Sequence, residues 1–208
     1  MYKDILGIEN SDEREYKSPF PDSNKLAMII PDTTTKFTAR SPEMYKRIAV
    51  HLSKIVNNVP GNSAIFFPSY RLRDEVDSHF SELCKKTTFV EMPGMSKTEK
   101  QDLLERFKSY KETGAVLMGV AAANYAEGVN LPGDLLKAVV VVGLPLQKPD
   151  LETKELIEKK KKKYQKGWDY GYTFPAITKC LQGAGRCIRS ETDRGVIAFL
   201  DERFAWQN

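Results

Sequence analysis

Short apolar runs alternate with longer amphipathic segments along most of the chain. Six runs of four to six residues have the composition of buried strands, at positions 25–30, 64–67, 87–90, 115–120, 137–142 and 195–200. Residues 139–142 are four consecutive valines, which is typical of a strand covered on both faces. Strands that alternate with helices predict a mainly parallel sheet with helices on both faces, a three-layer α/β fold.

Local signals mark the predicted helices between these runs. Ser41 followed by Pro42 is a favourable helix start, and Ser96 with Glu99 forms a capping box that predicts a helix over 97–111. Residues 70–84 form another amphipathic segment. In the last predicted helix, a stripe at helical spacing is expected to face the core: Ile177, Leu181, Ala184 and Ile188.

Composition limits the class of protein. With 208 residues, 41% apolar and 29% charged, the chain fits one large globular domain, which we place at 18–208 after a polar connector at 1–17. No run approaches the roughly 20 apolar residues of a membrane span, and the start lacks a signal-peptide layout, so we expect an intracellular protein with no membrane partner. The three cysteines match no zinc or disulfide spacing, so no metal site is expected.

The segment from Gln182 to Arg189 carries the most specific candidate chemistry. Steps of four and three residues place Gln182, Arg186 and Arg189 on one face of the predicted helix. Gly183 and Gly185 are costly inside a helix, so a close approach of backbone or ligand is expected there. Forked guanidiniums suit phosphate or carboxylate oxygens. A solvated helix with ordinary surface arginines is the open alternative.

Loops that follow parallel strands are where ligands bind in such sheets. One of these loops is Pro68–Arg71. Another, 121–133, holds Glu127, Gly128 and Asn130, whose side chains and open backbone suit an arginine, a ribose hydroxyl or water. A plain turn is the alternative for this second loop. We expect both loops and the arginine helix to converge on one edge.

The sequence contains no Gly-x-x-x-x-Gly-Lys-Ser/Thr phosphate loop. A helix that offers arginines to phosphate without such a loop must face a phosphate that another domain holds. The arginine segment therefore predicts one half of a composite site.

Four segments together resemble a known family. They are Phe66–Tyr70, Glu127–Asp134, Gln182–Arg189, and Thr192–Gly195 with Leu200–Phe204, and they are similar to helicase motifs IV, V and VI and the closing strand of the XPD family. That family belongs to the superfamily 2 DNA helicases. Order and spacing agree from about residue 18 onward, including Ser18–Pro21 and Gly167–Tyr170, and the archaeal form is the most similar.

The resemblance implies a RecA-like second motor domain of an ATP-driven helicase that moves 5′ to 3′ on single-stranded DNA, linked to nucleotide excision repair. ATP and magnesium would be held mainly by a first motor domain of the same parent chain, which would also carry an iron–sulfur cluster. Repair-complex proteins are further expected partners. The implied location is the archaeal cytoplasm near the nucleoid, or the nucleus in a eukaryote.

Individual roles follow from the same resemblance. Arg186 and Arg189 match arginine fingers, and Gln182 matches a glutamine that senses the terminal phosphate; Gly185 is counted at the same nucleotide site. Glu127 and Gly128 match motif V residues that couple nucleotide to DNA. Asn130 departs from the aspartate common in the family, so any role that needs a charge there is open.

For DNA, the resemblance and the residue types point to five positions: Ser69, Tyr70, Arg71, Trp168 and Arg203. Aromatic rings stack on bases without sequence preference. Structural alternatives stay open: a core-anchored Tyr70, a rim-packed Trp168, and an Arg203 that pairs with a nearby acid. The lysines at 159–163 are either a phosphate-tracking patch or a solvated helix face.

Two other readings of the whole chain remain. One is a nucleic-acid-binding or partner-interaction module without motor activity. The other is a flavodoxin-like protein that binds a small phosphorylated ligand at the strand ends.

Overall fold

The structure is a computed structural model that describes residues 8, 12, 14–16, 18–120, 135–146, 149–164 and 167–206. Its strands are β1 (Lys25–Ile30), β2 (Asn62–Phe67), β3 (Thr87–Val90), β4 (Ala115–Val120), β5 (Leu136–Val142) and β6 (Gly195–Leu200). Its helices are α1 (Pro42–Asn58), α2 (Tyr70–Leu83), α3 (Lys97–Lys108), α4 (Leu151–Tyr164) and α5 (Phe174–Ala184). Within these described residues, no helix is long and apolar enough to cross a membrane.

The chain divides into two compact units. A sheet unit comprises the described residues of 20–145 and 179–208, and a helical unit comprises those of 1–19 and 146–178. The sheet unit contains all six strands in the order β1-β6-β5-β2-β4-β3, and every pairing is parallel.

Helices cover both faces of this sheet. On one face, α1 and α2 pack against inward side chains such as Ile65 and Phe67 in a fully buried cluster. On the other face, the ring of Phe89 lies edge-on to that of Phe107 in α3, and Gly183 in α5 packs on Phe66. Alternate residues of a strand point to opposite faces, so Ile65 and Phe66 belong to different layers. The predicted three-layer α/β RecA-like fold is confirmed.

Three serines cap helices, and Ser41 and Ser96 do so as their sequence signals predict. The side chain of Ser41 accepts a hydrogen bond from Met44 N, with Pro42 as first helical residue, and Ser69 accepts from Leu72 N. Ser96 and Glu99 form the reciprocal capping box at the start of α3. Such caps satisfy backbone N–H groups that the first helical turn leaves without partners. These helix starts are therefore encoded locally.

The expectation that the first apolar run is a buried strand is wrong for part of β1. Leu26 is 56% exposed and Ile29 45% exposed, although Met28 and Ile30 pack against the core. The reason is its place in the sheet, because β1 lies at the edge of the strands that the structure describes, next to β6. A short apolar run cannot reveal whether its strand will be central or at an edge.

The helical unit is a compact arrangement around α4. After this helix the chain passes through a π-helical turn, Asp169–Thr173, into the first residues of α5. Ile157 of α4 is buried, and a β-carbon at Gly167 would overlap its carbonyl oxygen. At Gly171 a β-carbon would come within 3.0 Å of the Ile157 side chain. Both glycines thus allow the turn to pack closely on α4.

Candidate functional site

The carboxyl ends of the strands carry two buried polar clusters. The first is centred on Asp201, which follows β6 directly and has no exposed surface. Its Oδ2 accepts hydrogen bonds from the backbone N–H of Thr35 at 2.8 Å and the hydroxyl of Thr35 at 3.0 Å. Arg203 donates from Nε to Oδ1 and from Nη2 to Oδ2, both at 2.7 Å. The loop after β1 is thereby tied to the end of β6.

The charge state of Asp201 follows from these contacts. Burial by itself would raise the pKa of this carboxyl, but the hydrogen bonds and charge of Arg203, with the Thr35 N–H, hold the pKa below its ordinary value. The group is therefore a carboxylate at neutral pH, and the Asp201–Arg203 ion pair is intact there.

Gly143 closes the same cluster from the end of β5. Its φ of +67° lies in the left-handed region, and its N–H donates to Leu200 O at 2.9 Å. A β-carbon here would overlap the side chain of Thr35. Glycine is thus favoured here for two reasons: the left-handed backbone disfavours other residues, and there is no space for a β-carbon.

The second cluster is centred on Glu91, the first residue after β3, whose side chain is fully buried. Its Oε1 accepts from the hydroxyl of Tyr70 at 3.2 Å, and its Oε2 accepts from Val120 N at 3.1 Å. Its backbone carbonyl accepts from Nη1 of Arg73, which is 1% exposed, and Lys100 lies 3.5 Å from Oε1. Glu91 therefore connects the start of α2, the end of β4 and α3.

Tyr70 is anchored in this cluster rather than free. Arg73 lies over its ring with 5.1 Å between guanidinium carbon and ring centroid, and burial, followed by the charge of Glu91, raises the pKa of the phenol. The contacts of Tyr70 therefore agree with the core-anchored alternative.

The other residues predicted for DNA have different surroundings. Ser69 is the helix cap described above, Arg203 is 10% exposed in its side chain and paired with Asp201, and Arg71 is exposed at the start of α2. In the helical unit, Trp168 is 59% exposed and meets Tyr172 edge-on at 5.3 Å between centroids. Arg71 and Trp168 therefore have the accessibility that a nucleic-acid contact needs.

The predicted arginine helix ends earlier than its periodicity suggests. α5 stops at Ala184; the Gly185 amide still bonds four residues back, but the next two bond three back, Arg186 N to Gly183 O and Cys187 N to Ala184 O. This tighter winding breaks the register on which a common face depends. Gln182 and Arg189 are exposed, whereas Arg186 is only 7% exposed. The expectation of one shared exposed face is therefore wrong.

The prediction of an inward-facing stripe is wrong at Leu181, which is 57% exposed, whereas Ala184 and Ile188 are buried as predicted. Small residues face the sheet instead: Gly183 packs on Phe66, and the Cys180 thiol lies 3.9 Å from Gly143 O. Gly185 is exposed, and an added β-carbon would meet only carbonyl oxygens of its own helix. A backbone or ligand was expected close to these glycines; the group that lies close to Gly183 is the ring of Phe66.

The segment that follows α5 lies toward the amino ends of the strands. Cys187 donates from its thiol to Val196 O at 3.6 Å, near the start of β6, and Asn24 just before β1 donates to Glu191 O at 2.8 Å. The expected convergence of the arginines with the loops after the strands is therefore wrong. In a parallel crossover the helix carries the chain from the carboxyl ends of the strands back to their amino ends. Arg186 and Arg189 come after most of the helix, so they lie near the amino ends.

Asp193 shapes this segment. Its carboxylate, in a residue only 6% exposed, accepts from the backbone N–H groups of Arg189 and Ser190, both at 2.8 Å. Burial raises the pKa of Cys180 to about 12 and that of Cys187 to about 11, so both thiols are neutral packing groups. The turn at Arg189 is thus held by hydrogen bonds from backbone N–H groups to the Asp193 carboxylate, and the two thiols contribute packing only.

Three predicted nucleotide-site residues, Glu127, Gly128 and Asn130, lie outside the described residues. Conversely, four residues that build the two clusters were not singled out from sequence: Thr35, Arg73, Glu91 and Asp201. The sequence feature that could have identified Glu91 and Asp201 is their position: each is the first residue after an apolar strand, which is where functional groups lie in parallel sheets.

Comparison with known proteins agrees with this architecture. Residues 52–208 match the family model described as helicase C-terminal domain. The chain belongs to the helicase C-terminal domain family, in its XPD-type branch. It is 30% identical to the ATP-dependent DNA helicase XPD of Sulfolobus acidocaldarius over 178 residues, which is 83% of this chain and 30% of that protein.

Other relatives and solved structures support the same branch. The ATP-dependent DNA helicase DDX11 of Danio rerio is 30% identical over 190 residues, 81% of this chain and 21% of that protein. A solved XPD helicase superposes with a TM-score of 0.72 at 30% identity, over 88% of this chain and 32% of that one. The chain thus spans about a third or less of these XPD-type relatives.

Proposed function

We propose that the chain is the second motor domain of an ATP-dependent 5′-to-3′ DNA helicase of the nucleotide-excision-repair type. In this proposal Gln182, Arg186 and Arg189 act on an ATP that a first motor domain holds with magnesium. Glu127, Gly128, Asn130 and Gly185 complete this domain's side of the nucleotide site. The carboxyl edge of the sheet, with Arg71 and its neighbours, forms part of the track for single-stranded DNA.

The observation that carries the nucleotide half is the geometry after α5. Gln182 and Arg189 project from the domain, and the carboxylate of Asp193 fixes the backbone turn at Arg189. A permanently charged fork on a fixed turn can stabilise charge that develops on a transferring phosphoryl group. We expect Arg186, buried in this domain alone, to become accessible when the first domain and nucleotide bind.

The XPD-type resemblance supports the rest of the proposal. It favours a parent protein in which the first domain carries the phosphate loop and an iron–sulfur cluster, with single-stranded DNA and repair-complex proteins as partners. Trp168, Ser69, Tyr70 and Arg203 are assigned to the DNA side by that resemblance. Of these, Trp168 has the exposed ring that stacking needs.

The test is to measure DNA-stimulated ATP hydrolysis by the chain alone and by a single polypeptide that joins it to the first motor domain of the Sulfolobus acidocaldarius relative. We expect no hydrolysis by the chain alone, because its sequence has no phosphate loop. The joined protein is expected to hydrolyse ATP and unwind duplexes with a 5′ single-stranded tail. DNA binding without any hydrolysis in the joined protein would favour the non-motor binding module instead.

A further inference from the structure

A cavity opens at the carboxyl edge of the sheet, between the loop after β1 and the start of α2. Its volume is about 220 Å³, and its lining residues are Phe37, Arg40, Tyr45, Arg71 and Leu72. None of these five is acidic. Two arginines and two aromatic rings around one opening favour an anionic ligand that also has a flat apolar face.

Phe37 is the most unusual member of this lining. Its side chain is 82% exposed although it is fully apolar, and it lies in a short 3-10 turn, Phe37–Ala39, that follows the buried Thr33–Thr35. A large exposed ring on a fixed turn is a surface on which another ring can stack.

Arg40 is held next to that ring. Its Nε donates to Thr35 O at 3.2 Å, and its guanidinium carbon lies 5.7 Å from the centroid of Phe37. Neither terminal nitrogen of Arg40 donates a hydrogen bond to another of the described residues. Arg71 supplies a second exposed guanidinium, and no described acidic side chain forms an ion pair with it.

Both walls of the cavity rest on the buried clusters. Thr35, two residues before Phe37, is bound to Asp201 through its backbone N–H and its hydroxyl. The first turn of α2, which carries Arg71, is fixed by the Ser69 cap and by buried Arg73. The side chains are therefore presented from rigid supports, which lowers the ordering cost of binding.

We propose that this cavity binds one nucleotide of single-stranded DNA, with the phosphate between Arg40 and Arg71 and the base stacked on Phe37. Arginine forks match phosphate oxygens, and stacking on a phenyl ring accepts any base. The inference rests on the proposed function in that it deepens the DNA-track assignment, and it adds Phe37, Arg40 and Tyr45 to that track.

The experiment uses the whole 208-residue chain and a fluorescein-labelled oligothymidine in anisotropy titrations. Phe37→Ala and Phe37→Leu are expected to weaken binding roughly tenfold, and Phe37→Trp to retain it, because stacking needs a ring. On an abasic oligonucleotide of the same length, Phe37→Ala is expected to have no effect. Thermal melting checks that each variant is folded.

Arg71→Ala is expected to weaken binding and also to lower the slope of log Kd against log salt by roughly 0.7, since one phosphate contact is lost. Arg194→Ala removes an exposed arginine before β6 and is the matched control that should leave affinity and slope unchanged. Phe37→Ala should shift the affinity at an unchanged salt slope.

No detectable binding of oligothymidine by the wild-type chain would overturn the inference. Equal affinities of wild type, Phe37→Ala and Arg71→Ala would overturn it as well, as would an equal loss for Phe37→Ala on abasic DNA. Hydrolysis by the joined two-domain protein is a separate measurement. Its absence, with the Phe37 and Arg71 effects intact, would sink the motor proposal and leave this site standing.

Discussion

The two ends of the parallel sheet use charged residues in opposite ways. At the carboxyl edge, Arg203 and Arg73 are almost entirely buried against the domain's own carboxylate and carbonyl groups. In the segment that follows α5, toward the amino ends of the strands, Arg189 is exposed and Asp193 binds the backbone at that residue, while Arg186 is only 7% exposed.

This difference separates residues that build a surface from residues that act on a ligand. A buried arginine with two or three fixed hydrogen bonds positions loops, and breaking its pair leaves an uncompensated buried charge. An exposed arginine on a fixed turn, such as Arg189, is accessible to a partner. At the carboxyl edge, three of the residues predicted to contact DNA, Ser69, Tyr70 and Arg203, are parts of the structural framework. The accessible groups there are Phe37, Arg40 and Arg71.

The largest expected effect is in the segment that follows α5. In the joined two-domain protein, Arg186→Ala and Arg189→Ala should each lower the turnover of ATP about a thousandfold, or about 4 kcal/mol, because transition-state charge loses its partner. DNA affinity, measured in parallel by anisotropy, should change little. Arg194→Ala is the control for charge. Near-normal turnover in a folded Arg189→Ala protein would remove the distinction between the two ends.

The next effect concerns the supports. Gly143→Ala should lower the free energy of unfolding by about 3 kcal/mol in urea titrations, since the new methyl group overlaps Thr35 and the left-handed backbone disfavours alanine. Gly94→Ala is the matched control, because Gly94 also has a positive φ, +81°, with nothing within 4 Å of the added carbon. It should cost only about 1 kcal/mol. Equal losses at the two positions would mean that the Asp201 cluster is not tightly packed.

Asp201→Asn should cost about 2 kcal/mol at pH 7, because the charge-assisted hydrogen bonds to Arg203 weaken. The pKa of Asp201 is lowered in the folded protein, so its stabilisation is full above the ordinary carboxyl value and is lost as pH falls through the folded value. In urea titrations of both proteins between pH 7 and about pH 3, the difference in stability should therefore stay constant down to about pH 4 and narrow below it. A gap that stays constant over that range would contradict the ion-pair explanation.

The smallest effect distinguishes a cap from a DNA contact at Ser69. Ser69→Ala should lower stability by about 1 kcal/mol, and Ser69→Asn should restore it, because asparagine also caps helices. Ser78→Ala, in the middle of the same helix, is the neutral control. If oligothymidine affinity falls equally in the alanine and asparagine variants, the hydroxyl itself contacts DNA.

Prediction from sequence succeeded where the information was local and failed where it depended on neighbours. The Ser41 and Ser96 helix starts involve residues three apart, and strands β3, β4 and β6 agree with the predicted runs to the residue. The face of α5 could not be predicted, because two small residues, Cys180 and Gly183, pack closer to the sheet than Leu181 could.

The order of strands and helices, the parallel three-layer sheet and the XPD-type resemblance could be predicted from the sequence, because periodicity, caps and motif order can be read from residue positions along the chain. Which charged groups are buried as structural supports depends on tertiary packing. Asp201 and Thr35 are 166 positions apart and meet because β1 pairs with β6 at the sheet edge. The same pairing leaves one side of β1 exposed and brings Phe37 and Arg40 beside Arg71, where a cavity forms.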